Sequence, residues 1–284
     1  MSISRRHLIA GAGSLLVVAA CGDNSGASSG SEPDPATTGF TIAQRYPSNT
    51  FVPGKVRLPI SIASKQSMLT TGPAVLNGRV LDSADKQIAT VSAPIHSTDM
   101  VIPYWPIVVQ IDQPGTFTLR LDGDDGFGAA FQVSDPSQVT VPYIGSLLPP
   151  FDTPTVDNHR GVEPYCTLTP KPCPLHDVTL TQALASGAPV AYMVGTPAHC
   201  QTGTCAPALE CLVKSHTRVG DKITMVHADV YSDDAATTVA PAVAALGIEY
   251  EPVLYLVTNG TVADRVDVIW DQQELDERID AFLA

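Results

Sequence analysis

The chain is poor in three things, and each lack removes a class of answer. The apolar stretch near its start, residues 9–20, is rich in Gly and Ala and falls short of the roughly 20 residues that a bilayer-spanning helix needs. Basic residues are scarce: 16 Lys and Arg stand against 29 Asp and Glu, a formal net charge of −13. That balance argues against nucleic acid and anionic lipid surfaces as partners. Cysteine is absent from residues 40–135, so no disulfide framework holds that part of the chain.

What stands at the start decides the compartment. Ser4-Arg5-Arg6-His7-Leu8, ahead of the mildly apolar run, reads as an export signal over residues 1–20, and its paired arginines resemble a twin-arginine signal. Val18-Ala19-Ala20-Cys21 resembles a bacterial lipobox, in which Cys21 becomes the lipidated first residue of the mature chain. The alternative is an ordinary cysteine just past a cleavage site. Residues 21–39 are Gly, Ser, Asp, Pro and Thr with hardly an apolar side chain, too polar to fold and suited to a flexible stalk. Removing residues 1–20 takes away Arg5 and Arg6 and no acid, so the charge moves from −13 to −15. The 245 residues beyond the stalk (284 less 39) are more than one domain commonly needs.

Residues 40–135 carry short strands, among them 55–62, 74–81, 106–111 and 116–121. They are divided by turn formers such as Asn77-Gly78, Gln113-Pro114-Gly115 and the acidic run of residues 122–126. Such spacing predicts an all-β sandwich, and Pro114-Gly115-Thr116-Phe117-Thr118-Leu119 resembles the late hairpin of immunoglobulin-like modules. The Cys–Trp–Cys mark of true immunoglobulin domains is missing, so the expectation concerns architecture alone. The acidic run lacks the spacing of an EF-hand and reads as a turn. Residues 136–164, with Pro149-Pro150, Pro154 and Glu163-Pro164, form a stiff Pro-rich connector.

From residue 165 helix and strand signals alternate. Thr179-Leu180-Thr181-Gln182 is a capping box that opens a short helix, closed by Gly187. A buried strand follows at 189–194, then Gly195-Thr196-Pro197-Ala198-His199-Cys200-Gln201-Thr202-Gly203-Thr204-Cys205, then a helix over 206–216 with Leu209, Leu212 and Val213 on one face. A strand at 223–231 and a helix at 238–246 come next. Residues 252–257 and 262–269 flank Asn259-Gly260, a strong hairpin signal, and Asp271 opens a terminal helix.

The cysteines lie where chemistry is plausible. A thiol between a strand and a helix start meets unpaired N–H groups and the positive end of the helix dipole, which favours thiolate. Cys200 and Cys205 are so placed, although an ordinary disulfide of an exported protein is the plainer alternative. His199 beside Cys200 can tune the thiolate. Cys166 and Cys173 enclose Thr167-Leu168-Thr169-Pro170-Lys171-Pro172, a loop that a structural disulfide would close. The sharper alternative is a second redox pair that relays electrons to Cys200. With Cys21 set aside five cysteines remain, all between 166 and 211, so an oxidising compartment leaves one unpaired or externally paired. Cys211 has no assigned role, and His176 stands near Cys173 as a thiol tuner or ligand.

The element order from about residue 175 to 284 resembles that of the thioredoxin superfamily, and the whole chain is similar to lipid-anchored thioredoxin-like proteins of the bacterial cell exterior. Glu251-Pro252-Val253-Leu254-Tyr255-Leu256 resembles the segment in which a cis proline opens a strand and turns the preceding backbone toward the cysteine pair. The resemblance implies that Pro252 faces Cys200, that Cys200 attacks and that Cys205 resolves. It also implies that the clients are extracytoplasmic proteins with thiols or disulfides, and that no cofactor takes part. The expected class is an α/β thioredoxin-like domain, residues 165–284, behind an immunoglobulin-like β domain that serves as spacer or docking module, on the outer membrane face. The chain departs from the family in three ways. Four residues rather than two separate the cysteines, Glu251 precedes the proline, and the strand at 189–194 holds no acid. The alternatives are copper delivery of the Sco type, using Cys200, Cys205 and His199, His216 or His227, and a non-catalytic binding module.

Overall fold

Alternation of apolar and polar residues makes the first half sheet. The computed structural model describes residues 39–64 and 67–284; the export signal, the lipobox Cys21 and the stalk through residue 38 lie outside the described residues. Eight strands follow in order: β1 (Thr41–Gln44), β2 (Gly54–Ser64), β3 (Ser67–Met68), β4 (Val75–Leu81), β5 (Gln87–Pro94), β6 (Trp105–Ile111), β7 (Gly115–Leu121) and β8 (Ala129–Val133). One sheet joins β1, β2, β3 and β6, and the other runs β5-β4-β7-β8, with every pairing antiparallel. Inward residues such as Leu58, Ile60, Trp105, Leu119 and Phe131 form one apolar core, the expected sandwich of sheets.

Asn77-Gly78, expected as a turn, lies inside β4. The glycine is needed there for close approach rather than for turning, since a Cβ on Gly78 would meet the Arg120 carbonyl at 2.2 Å. The acidic run is explained by its own backbone: the Asp124 carboxylate accepts from the N–H groups of Gly126 and Gly128.

The second half contains α1 (Leu180–Ala185), β9 (Val190–Val194), α2 (Cys205–Val219), β10 (Thr224–Ala228), α3 (Pro241–Leu246), β11 (Val253–Thr258), β12 (Thr261–Asp267) and α4 (Gln272–Leu283). The sheet order is β10-β9-β11-β12, with β10 parallel to β9 and the others antiparallel. Both faces are covered, so the strands read as unbroken apolar runs. Ala191, Met193, Leu254 and Leu256 pack with Leu209, Leu212, Leu275 and Ile279 of α2 and α4. Tyr192, Val194, Val253 and Tyr255 pack with Leu180, Ala183, Ala242 and Leu246 of α1 and α3. Thr179 and Gln182 make the expected capping box, and Asn259 and Gly260 take the positive φ of a tight hairpin, 50° and 75°. Helix α3 starts later than its periodicity predicts. The Asp233 carboxylate takes the N–H groups of Thr237 and Thr238, Val239 bridges to Tyr231, and Pro241 opens the helix.

The Pro-rich connector packs along β12. Gly145 and Leu148 donate to the carbonyls of Val262 and Gly260, and Leu148 is buried. Arg265 of β12 reaches the Pro142 and Thr50 carbonyls. A buried ion pair ties the sandwich to α4. The Arg57 guanidinium of β2 forks both oxygens of Glu274 at 2.7 and 2.6 Å, and Arg57 also donates to the carbonyls of Asp267 and Ile269. Tyr104 donates to Glu274 at 2.6 Å.

Burial alone would raise the Glu274 pKa, but Arg57 and Arg278 outweigh it and hold the carboxyl down at about 2. A depressed carboxyl stabilises the fold above its ordinary value and loses that contribution as pH falls through the folded value. The expected outcome is therefore stability that declines between about pH 4.5 and 2, and less steeply in Glu274→Gln. In urea unfolding at pH 7, Arg57→Ala should cost about 2–4 kcal/mol, because it removes the bidentate partner of a buried carboxylate and leaves it only Tyr104 and Arg278.

Candidate functional site

The register of the second sheet brings three strand ends to one edge. Val194 lies opposite both Ala228 and Val253, so Gly195, Asp229 and Pro252 lie together just beyond the strands. Gly195 is tightly enclosed: a Cβ there would stand 3.1 Å from the Pro252 Cβ and 3.3 Å from the Met193 Cε. Thr196 then anchors the loop, with its hydroxyl accepting from the Val230 N–H at 2.6 Å and its own N–H donating to Glu251 at 2.6 Å.

Cys200 and Cys205 are joined as a disulfide, with Cα atoms 5.9 Å apart. Helix α2 begins at Cys205, one residue before its periodicity indicates. Cys205 is fully buried and Cys200 is half-buried. The Cys205 N–H, at the helix start, donates to the Cys200 sulfur at 3.3 Å. The Thr202 hydroxyl lies 3.2 Å from the same sulfur and 2.7 Å from the Thr204 hydroxyl. These donors favour negative charge on Cys200 when the pair is reduced.

The Glu251–Pro252 peptide bond is cis, and Pro252 lies against Gly195. The third group within reach of the pair is Glu251, whose carboxylate lies within 4.8 Å of both sulfurs. Burial pushes its pKa up, against the opposing Thr196 N–H. The His199 ring packs edge-on to Tyr231 at 6.1 Å between centroids. A cavity of about 440 Å³ opens beside the loop, lined by Thr202, Tyr231, Val239, Val243, Ile248 and Glu251 among others.

Cys166 and Cys173 differ from expectation. They stand as separate buried thiols and meet His176 and His227 instead of closing the loop on each other. His227 therefore belongs to that cluster and not to the Cys200–Cys205 pair. His216 lies in the last turn of α2, about 16 Å along the helix from Cys205. No histidine nitrogen joins the Cys200–Cys205 group among the described residues. Cys211 is a free, half-buried thiol against the helix core, and burial pushes its pKa up to about 11.

Sequence reasoning missed the hydroxyls of Thr202 and Thr204 and the convergence of His176 and His227. A Thr-x-Thr inside the cysteine loop and a lone histidine in the apolar run 223–228 were the available signals. Neither a protein-family model nor a curated protein matches the chain.

A carboxylate beside a thiol disfavours the thiolate. After mild reduction, iodoacetamide should label Cys200 well before the buried Cys205, as read by peptide mass spectrometry. In Glu251→Gln the half-maximal pH for labelling Cys200 should drop by about one unit. Equal labelling of both cysteines, or an upward shift, would contradict this assignment of charge.

Proposed function

We propose that the chain is a membrane-anchored, extracytoplasmic thiol-disulfide oxidoreductase with a thioredoxin-like C-terminal domain, acting through Cys200 and Cys205. The observation that carries the reading is the asymmetry of the pair: an accessible sulfur that receives the first N–H of α2, bonded to a sulfur that is fully buried. The β10-β9-β11-β12 order with helices on both faces supports the thioredoxin-like reading. So does the seating of Pro252 against Gly195 at the mouth of the loop.

In the reducing direction the Cys200 thiolate attacks one sulfur of a client disulfide. The client S–S bond breaks, its other sulfur leaves as a thiolate, and a mixed disulfide forms. Cys205 then gives its proton to Glu251 and attacks the Cys200 sulfur. The client sulfur leaves and is protonated, the Cys200–Cys205 disulfide forms, and two electrons have passed to the client. The reverse sequence oxidises a client dithiol. Glu251 suits the proton step because burial raises its proton affinity. The neighbouring cavity, with Tyr231, Val243 and Ile248 on its wall, takes an apolar side chain flanking the client cysteine. Acylation at Cys21 and the polar stalk keep the domain at the outer face of the membrane, and the net charge of −15 after processing, from 14 basic and 29 acidic residues, steers it from anionic surfaces.

The copper reading at this pair draws no support from a site whose third group is a carboxylate. The test is trapping in cells. Cys205→Ser should accumulate mixed disulfides between Cys200 and client proteins, identified by mass spectrometry, whereas Cys200→Ser should accumulate few. Absence of adducts in both variants would overturn the reading.

A further inference from the structure

We infer that Cys166, Cys173, His176 and His227 form a closed, tetrahedral zinc(II) site, independent of the reading of Cys200 and Cys205. All four side chains are buried, at 3%, 4%, 0% and 0% exposure, and their ligand atoms all lie within 4.8 Å of one another. The spacings fit a common centre. With Zn–S near 2.3 Å and Zn–N near 2.0–2.1 Å, an ideal tetrahedron sets two nitrogens about 3.3 Å apart, and a nitrogen and a sulfur about 3.6 Å apart. The inner nitrogens, His176 Nε2 and His227 Nδ1, are 3.3 Å apart. The Cys173 and Cys166 sulfurs lie 3.6 and 3.8 Å from His227 Nδ1.

The outer hydrogen bonds fix which nitrogens are free to ligate. His227 Nε2 lies 2.8 Å from the Gly195 carbonyl, and His176 Nδ1 lies 3.3 Å from the Pro154 carbonyl. A carbonyl only accepts, so both outer nitrogens carry the hydrogen, and in the neutral imidazoles both inner nitrogens present lone pairs. Two lone pairs aimed at each other at this distance repel unless a cation lies between them. Further support has the form that surrounds metal-bound histidine and thiolate. The Cys173 N–H donates to the Cys166 sulfur at 3.4 Å. The Asp229 carboxylate stands 3.5 Å behind His227 Nε2, with one oxygen bonded to the Thr167 N–H and the other without a hydrogen-bond partner.

The donor set selects the ion. Two thiolates and two imidazoles suit zinc, whereas an all-oxygen shell suits calcium or magnesium. Four protein ligands in a buried position leave no open coordination place, which marks a structural site. Zinc would then pin residues 166–176 to β10 and to the base of the cysteine loop, where the Ala198 N–H donates to the Thr167 hydroxyl. It would also keep two of the five clustered cysteines out of disulfide exchange with Cys200 and Cys205.

The full chain, isolated in detergent without reductant or added chelator, should carry one zinc per molecule by elemental analysis. Replacing zinc with cobalt(II) in the wild-type protein should give the intense visible bands of tetrahedral coordination together with thiolate charge transfer. Cys173→Ser and His176→Ala should each weaken zinc binding more than about a hundredfold, since even outer-shell changes cost up to that much. The Cys200→Ser, Cys205→Ser double variant should keep its zinc. A Cys166–Cys173 disulfide in the isolated protein, copper in place of zinc, or an octahedral cobalt spectrum in the wild type would each overturn the assignment. Client trapping by Cys205→Ser is a separate readout that none of these outcomes moves.

Discussion

Strand β9 is the constraint on which both cysteine centres depend. Every one of its five residues is buried, and it is held between β10 on one side and β11 on the other. Those two pairings leave Gly195 and Thr196 as the point from which both centres hang. The Gly195 carbonyl receives His227, which orients the imidazole of the Cys166 cluster. The next N–H, on Thr196, holds the carboxylate that faces the Cys200–Cys205 pair. A Cβ at position 195 would stand 3.1 Å from the Pro252 Cβ, so glycine suits the close backbone approach that brings Glu251 to the sulfurs.

The sandwich is fixed to this sheet through charge rather than through apolar area alone. Arg57, Tyr104 and Arg278 satisfy Glu274 together. His96 bonds to Asp271, the residue that caps α4. Buried polar groups of this kind are costly unless every member is paired, and when paired they specify one arrangement. The sandwich thus grips the start of α4, and the far end of that arrangement is the sheet that carries Cys200.

Much of the local structure was legible because its causes are local. The Thr179–Gln182 box, the Asn259-Gly260 hairpin and the run of apolar residues in β9 each need only their neighbours in sequence. The position of Cys200 in the loop before α2 follows from where apolar periodicity changes from strand to helix. What was not legible depends on strand pairing. His227 lies 51 residues from His176, and only the parallel pairing of β10 with β9 sets its ring toward Cys166 and Cys173. With that convergence out of view, a disulfide was the natural expectation for two cysteines around a Pro-rich loop. Glu251 shows the same limit from the other side. Its place before Pro252 could be read, but its hold on the Thr196 N–H comes from tertiary approach. Asn77-Gly78 misled because glycine serves close packing as well as turns, and the crossing strand β7 decides which.

The central claim is that the Cys200–Cys205 bond is exchangeable. The most direct test equilibrates the full chain with glutathione buffers of graded potential and counts the reduced pair by mass. A catalytic pair should titrate above about −300 mV, within the range of cellular thiol couples, and a structural disulfide stays oxidised below it. Two-electron reduction of this pair above that bound is the predicted result; a bond that remains closed throughout the series would contradict the account.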